Sequence, residues 1–360
     1  MKLKGQNLYH IVGIMSGTSL DGLDIALCTF LDNQAVWHYE VLKAYTIPYD
    51  PDWRQQLLQA MHADDKDLRD IDLRYGHLIG RQVNEFITGS GILPELIASH
   101  GHTVHHKPEQ GITFQVGSGR EIANVTGINT VADFRKTDVA LGGQGAPLVP
   151  VGDELLFGEY DYCLNLGGIC NISYKDKGIR LAYDIAPCNM ILNYLSQKHG
   201  KEMDKDGHWG RMGTINHKLL DSLNALPYYS GTGPRSLGRE WFEAVFMPLI
   251  NQSTLPANDL FRTIYEHISM QIAGSLGNNQ EDKVLVTGGG TYNKFLMELL
   301  QSHTPCKLVI PDPVLIEFKE AVVFAFLGLL RYLGRINCYA SVTGAREDSS
   351  CGTLYVSLQR

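Results

Sequence analysis

The strongest constraint on this chain is that it opens twice in the same way. Tyr9 to Met15 reads as an apolar strand running into the glycine-rich turn SGTSLDG, and Asp24 to Leu31 resumes as a second strand. Tyr160 to Leu166 is again a strand, Gly167 and Gly168 make the turn, and Cys170 to Tyr174 is the return. A third glycine turn, Gly288 to Gly290, follows a short strand at Lys283 to Thr287 and precedes a helical stretch at Tyr292 to Gln301. Two similar openings call for two packed bodies, and 360 residues is about twice what one hydrophobic core usually serves. A mixed α/β chain in two lobes with a cleft between them is the expectation.

The remaining periodicity fits. Strands are predicted at Val36 to Tyr45 and Leu96 to Ser99, separated by a helix on which Leu68, Ile71, Tyr75, Leu78, Ile79, Val83 and Phe86 recur at helical spacing. Further helices are predicted at Asn189 to His199, Gly238 to Ile250 and Pro256 to Leu276, the last with a stripe of Leu260, Ile264, Ile268, Ile272 and Leu276. The segment LGGQGAPLVPVGDELLF mixes glycine and proline punctuation with an apolar pattern and suits a connection between domains. The longest apolar stretch, Ala321 to Leu330, is about half of what a membrane span needs and reads as a buried helix. No apolar run of signal-peptide length precedes the first strand. Seven scattered cysteines without a C-x-x-C pair fit reduced thiols in the cytoplasm. A net charge of -8 argues against a nucleic-acid surface.

Chemistry concentrates in the turns. In GIMSGTSLDGLD, small residues let backbone N–H groups point into a tight turn beside Asp21 and Asp24, which suits phosphate and hydrated Mg2+; a plain hairpin turn is the alternative. LNLGGICNIS repeats that logic, and VTGGGTYN permits close approach of a flat ligand such as adenine. The chain has neither a P-loop G-x-x-x-x-G-K-[ST] nor a G-x-G-x-x-G fingerprint after a strand, so nucleotide binding needs paired lobes. Asp184, in LAYDIAPCN, is expected at a strand end, with Pro187 opening the next helix; an isolated aspartate there also serves as a helix stabiliser. Four histidines crowd SHGHTVHHKP, but no carboxylate or cysteine beside them completes a zinc set, so a polar or substrate-contacting loop is expected. Arg135, in VADFRKTD, is an anion clamp or a surface ion pair, and Glu320 is expected to start the apolar helix.

Taken together these strings resemble the anhydro-N-acetylmuramic acid kinases, from Gly13 to about Tyr355: GIMSGTSLDGLDIA, SHG-T, GINTVADFRKTDVALGGQGAPLVP, LNLGGICNIS, DKDG, GRE-F, VTGGGTYN and EAVVFAFLG. The resemblance implies an α/β, two-lobed actin/hexokinase-like (ribonuclease H-like) ATPase fold with a central nucleotide cleft. It places lobe I at 1–140 plus about 336–360, and lobe II at 141–335. It implies use of ATP and Mg2+ to convert 1,6-anhydro-N-acetylmuramic acid to N-acetylmuramic acid 6-phosphate in cytoplasmic cell-wall recycling. Asp184 is then the base activating water, and the ATP site comprises Gly17, Thr18, Ser19, Leu20, Asp21, Gly22, Leu23, Asp24, Gly167, Gly168, Gly288, Gly289 and Gly290. His100, Arg135 and Glu320 contact the sugar, with no metal held by protein ligands alone. The partner is the small anhydro amino sugar, with no nucleic acid and no membrane, and a homodimer is the expected assembly if the chain self-associates.

Four segments depart from the usual family pattern. FDTGPGN reads YDIAPCN, with Ile185, Ala186 and Cys188 for threonine and two glycines. SHGQT reads SHGHT with His102, QIGD reads QVGS with Ser118, and KSTGRE reads RSLGRE with Leu237. The loop around the base is therefore expected to differ or be crowded, and sugar contacts to shift. A same-fold kinase for another anhydro sugar such as levoglucosan, or a non-catalytic ATP- or sugar-binding paralogue, are the alternatives.

Overall fold

The computed structural model describes residues 7–17, 20–34, 36–231 and 235–358, and these divide into two compact units: Met1–Phe157 with Phe318–Arg360, and Gly158–Glu317. The expected boundaries near 140 and 335 both fall inside the first unit. The LGGQGAPLVPVGDELLF segment thus belongs to that unit, where Val151 and Phe157 are buried.

The first unit is built on β1 (Asn7–Ser16), β2 (Gly22–Asn33), β3 (Val36–Pro48), β4 (Leu96–Ser99), a small hairpin of β5 (His102–Lys107) and β6 (Ile112–Val116), and β7 (Thr130–Ala132). β1–β2 and β2–β3 are antiparallel, as short turns allow, whereas β4 and then β7 pair parallel on the other side of β1. β2 is buried along most of its length, while β3 alternates and forms the edge. The crossover from β3 to β4 is the helix Asp65–Ile87, started by Asp64, whose carboxylate accepts from Lys66 N and Asp67 N at 2.9 Å each. Its stripe of Leu68, Ile71, Tyr75, Ile79, Val83 and Phe86 packs with Val12, Ile14, Leu23 and Ile25. Each such side chain, fully buried, contributes about 1.5–3 kcal/mol. Gly13 allows close approach on β1: a Cβ there would lie 1.9 Å from the Ala321 carbonyl oxygen of the helix Pro313–Tyr332.

The second unit repeats the plan with β8 (Tyr162–Leu166), β9 (Ile169–Asp176), β10 (Ile179–Pro187), β11 (Lys283–Thr287) and β12 (Lys307–Val309). Its order, β10-β9-β8-β11-β12, matches β3-β2-β1-β4-β7 strand for strand, with the same antiparallel and parallel senses. The double opening of the sequence is therefore a duplicated topology. Helices Asn189–Lys198, Ala257–Gly274 and Lys294–His303 supply the core with Ile191, Ile264, Ile268, Ile272 and Leu296. The helix expected over Gly238 to Ile250 carries a π-helical turn, Phe242–Phe246, just before Pro248. Proline offers no N–H for the regular ladder, and widening the turn accommodates it. The last strand, β13 (Thr353–Tyr355), returns to pair antiparallel with β7. Among the described residues no helix is long and apolar enough to cross a membrane, and all seven cysteines are free and buried.

Candidate active site

Strand register assembles the second unit's site. Asp184 pairs with Asn171, Asn171 with Asn165, and Asn165 with Thr287, so one row crosses β10, β9, β8 and β11. Just beyond that row lie both glycine turns, Gly167–Gly168 after β8 and Gly288–Gly290 after β11. Gly288 has φ +84°, and a Cβ there would lie 2.5 Å from Asn165 Oδ1 and 2.9 Å from the Leu166 carbonyl carbon. Only glycine lets the two turns meet so closely. Gly168 and Gly289 are exposed, and a Cβ on Gly289 would meet nothing within 4 Å, so the turn presents bare backbone to open space. The carbonyls of Gly167 and Gly168 accept from Asn189 N at 3.1 Å and from Cys188 N and Met190 N at 2.8 and 3.0 Å. The amides that open the helix Asn189–Lys198 are thus committed within the protein.

Asp184 is half-buried near the end of β10. Pro187 does not open the next helix, as expected from sequence; it pairs with Ile169 as the last residue of β10, and the helix begins at Asn189. β10 is an edge strand, where a missing N–H costs the sheet nothing. The register shifts between Asp184 and Ala186, and Ile185, Ala186 and Cys188 are fully buried in the core of this unit. Asp184 Oδ2 accepts from Leu237 N at 2.8 Å and Ser236 Oγ at 3.1 Å, and among the described residues Oδ1 takes no hydrogen bond. Burial raises the carboxyl above its ordinary range, while the Leu237 and Ser236 donors oppose that shift.

In the first unit, Ser16 pairs with Leu23 and Met15 with Asp24, which closes the first glycine turn. Thr18 and Ser19 lie outside the described residues. Leu20 has φ +57°, and its side chain and that of Leu23 are buried, so those two offer a ligand backbone only. Asp21 is exposed and Asp24 half-exposed, with Thr46 Oγ1 donating to Asp24 Oδ1 at 2.5 Å. Ser16 Oγ contacts Tyr49 Oη at 2.7 Å and His102 Nδ1 at 3.1 Å, and Tyr49 Oη meets Tyr75 Oη at 2.5 Å. Burial lowers the His102 imidazole to about 4, so it is neutral at ordinary pH. SHGHTVHHKP is therefore mostly strand β5 rather than loop: His102 and Val104 face inward with the alternation of a strand. Among the described residues no group of three or more histidine, cysteine, aspartate or glutamate side chains could hold a metal ion.

His100, Arg135 and Glu320 come together in this unit. His100 Nδ1 lies 2.8 Å from its neighbour's carbonyl, Gly101 O, which makes Nδ1 the protonated nitrogen; Nε2 then accepts from Arg135 Nε at 3.1 Å. Arg135 also donates to Gly145 O at 2.6 Å. Burial first, then the Arg135 charge, hold His100 well below its usual range, so it is a neutral acceptor. Burial lowers Arg135 to about 10, partly countered by Glu320, and leaves it cationic. Glu320 does not start its helix; it lies well inside Pro313–Tyr332, with more than a third of its surface accessible. The protein around it raises its carboxyl, Arg135 and Lys319 lower it, and Asp24 of the first turn raises it. Stabilisation of a helix N-terminus therefore does not explain Glu320.

Three groups of residues escaped the sequence reading. Buried Asp138 anchors the turn beside Arg135, accepting from Gly145 N at 2.7 Å and Thr343 Oγ1 at 2.6 Å. Asn189 ties the second turn to its helix through Leu166 O at 2.8 Å. Tyr228 and Arg235 surround Asp184. RSLGRE carried the one available signal for the last pair, but its partner strand lies about 50 residues upstream.

The family model described as anhydro-N-acetylmuramic acid kinase matches residues 9–357. The anhydro-N-acetylmuramic acid kinase of Pseudomonas putida is 36% identical, covering 96% of this chain and 98% of the relative. That of Aliivibrio fischeri is 37% identical with the same coverage, and that of Vibrio cholerae 36% identical over 96% and 97%. Among solved structures, a ROK family glucokinase from Streptomyces griseus in complex with glucose and AMPPNP is a distant likeness, 12% identical over 89% of this chain and 99% of that one at a TM-score of 0.41. With the family model matched over residues 9–357 and relatives 36–37% identical over nearly their whole length, the chain belongs to the anhydro-N-acetylmuramic acid kinase family.

Proposed function

We propose that this kinase converts 1,6-anhydro-N-acetylmuramic acid, ATP and water to N-acetylmuramic acid 6-phosphate and ADP, with Asp184 as its base. The observation that carries the reading is the row that sets Asp184 in register with Asn165 and Thr287, just before both glycine turns of the second unit, with one carboxylate oxygen taking no hydrogen bond among the described residues. Asp184 takes a proton from water as the water oxygen bonds to the anomeric carbon and the bond from that carbon to O6 breaks. The developing alkoxide at O6 is the nucleophile that phosphoryl transfer requires: it bonds to the γ-phosphorus as the bond to the β-phosphate oxygen breaks. The proton on Asp184 then returns to solvent. One base thus serves two bond changes, and no strongly basic group is needed at O6.

The nucleotide-binding residues in this reading are Gly17 to Asp24 in the first unit and Gly167, Gly168 and Gly288 to Gly290 in the second. Asp21 and Asp24 fit hydrated Mg2+, which keeps several waters and asks for only one or two carboxylates besides phosphate oxygens. When bound, Mg2+ supplies neutralisation of phosphate charge. His100, Arg135 and Glu320 are proposed to hold the sugar: Arg135 is a fixed cation suited to a carboxylate such as the lactyl group, and Glu320 an acceptor for sugar hydroxyls. The setting proposed is the cytoplasm, in recycling of cell-wall sugars.

The test is ADP release with three sugars. We expect turnover on 1,6-anhydro-N-acetylmuramic acid and little on levoglucosan, which lacks both the lactyl and acetamido groups. Turnover on N-acetylmuramic acid alone would sink the hydrolytic step. Nucleotide binding with no turnover on any sugar would make the chain a sensor.

A further inference from the structure

Arg235 is half-buried, yet among the described residues it pairs with no carboxylate, and its Nε is buried without a partner. A surface ion pair therefore does not account for it. Its guanidinium carbon instead lies 4.8 Å from the centre of the Tyr228 ring and 5.0 Å from that of Tyr183, the residue before Asp184. One of its terminal nitrogens donates to Tyr228 O at 3.1 Å and Gly231 O at 2.6 Å. The same stretch of backbone grips Asp184. Asp184 N donates to Arg235 O at 3.0 Å, Tyr228 Oη donates to Asp184 O at 2.5 Å, and Ser236 and Leu237 supply both donors to Oδ2.

We propose that Arg235 is a positioning residue for Asp184, fixing the chain so that Ser236 and Leu237 direct their donors to Oδ2 and leave Oδ1 to receive the proton. This rests on Asp184 being the base proposed above. Two consequences follow from the contacts. Without the guanidinium between the rings, Tyr228 and the Ser236–Leu237 pair lose their common support, and the carboxylate loses its fixed direction. Those two donors also favour the ionised form against burial, so weakening them raises the pH at which Asp184 ionises. The other titratable groups facing it are the Tyr228 hydroxyl and the Cys170 thiol, both pushed upward by burial, with Arg235 itself the adjacent cation. Asp184 therefore contributes to the acid limb of kcat/KM, and its contribution is the part that moves in an Arg235 variant.

The experiment compares Arg235→Gln, Arg235→Lys and Asp184→Asn in the full chain, measuring kcat, both KM values and the pH profile. For Arg235→Gln we expect kcat to fall roughly tenfold to a hundredfold, KM for ATP to stay within about twofold, and the acid limb to move to higher pH. Arg235→Lys keeps a cation between the rings and should restore most of kcat and the position of the limb. An acid limb unmoved in Arg235→Gln overturns the proposal, whatever happens to kcat. If that variant does not fold, Tyr228→Phe, which removes one hydrogen bond and keeps the ring, takes its place with the same expected shift, and an unmoved limb there overturns the proposal equally. Activity in Asp184→Asn would instead remove the base assignment; an inactive Asp184→Asn beside an unmoved limb in the Arg235 variant removes only the positioning role.

Discussion

Asp184→Asn should lower kcat by about a thousandfold or more while ATP affinity stays within about threefold. Both donors to the carboxylate converge on Oδ2, from Leu237 N at 2.8 Å and Ser236 Oγ at 3.1 Å. An asparagine can present its carbonyl oxygen to that pair and place its amide NH2 where Oδ1 stood. The fold then loses no hydrogen bond, while the atom that accepts the proton becomes a donor. Stability should not suffer either. Burial raises the native carboxyl, so the native state holds its proton more tightly than the unfolded chain. For such a group, stability falls as pH rises from the unfolded value through the native one, and a neutral amide removes that loss. Steady-state ADP release, equilibrium binding of a non-hydrolysable ATP analogue and a melting curve together check the expectation. Undiminished turnover would take Asp184 out of the mechanism.

The second large effect is expected at the glycine turn after β11. Gly288→Ala places a Cβ 2.5 Å from Asn165 Oδ1, 2.9 Å from Leu166 C and 3.0 Å from Leu166 N, at φ +84°. Two of those atoms are backbone, so the ends of β8 and β11 must separate, and a backbone at φ +84°, ψ +161°, open almost to glycine alone, itself costs roughly 1–3 kcal/mol. We expect a loss of about 2–4 kcal/mol in stability and at least a tenfold loss of ATP affinity, since both turns shift. Gly289→Ala is the control. Its Cβ meets nothing within 4 Å, so the melting temperature should hold, and any fall in ATP affinity reports direct contact with ligand. Full ATP affinity in Gly288→Ala at a lowered melting temperature would remove this turn from the nucleotide site.

The elements that were legible in the sequence are those whose signal is local. Leu96–Ser99 and Lys283–Thr287 are bounded by punctuation and match residue for residue. The helix Asp65–Ile87 shows its stripe directly, while its cap, Asp64, emerges from the structure. Misreadings arose where a tertiary partner decides. Pro187 resembles a helix opener until β9 supplies Ile169 as its cross-strand partner. The histidine segment resembles a loop until Ile112–Val116 pairs with it. Glu320 resembles a helix start because the polar Lys319–Glu320 pair precedes the long apolar run, yet Pro313 had already opened that helix.

The departures from the family pattern divide the same way. Ile185, Ala186, Cys188 and Leu237 are buried, His102 is bonded to Ser16, and Ser118 caps the helix Gly119–Thr126 by accepting from Glu121 N at 3.4 Å. Serine and aspartate are interchangeable as such caps, which accounts for Ser118 without any contact to sugar. Most of what the sequence shows as altered chemistry is therefore altered packing. Asp184 and Arg135 are half-buried and Glu320 is exposed, and all three lie in strings that resemble those of the family.

In the proposed reaction, water opens the anhydro bond in the same turnover that phosphorylates O6. Turnover of 1,6-anhydro-N-acetylmuramic acid and ATP in H218O, quenched before the sugar exchanges its anomeric oxygen with solvent, tests it directly. The mechanism predicts one 18O on the anomeric carbon of the 6-phosphate and none in the phosphoryl group. Label in the phosphoryl group, or a phosphorylated sugar without label at the anomeric carbon, would contradict it.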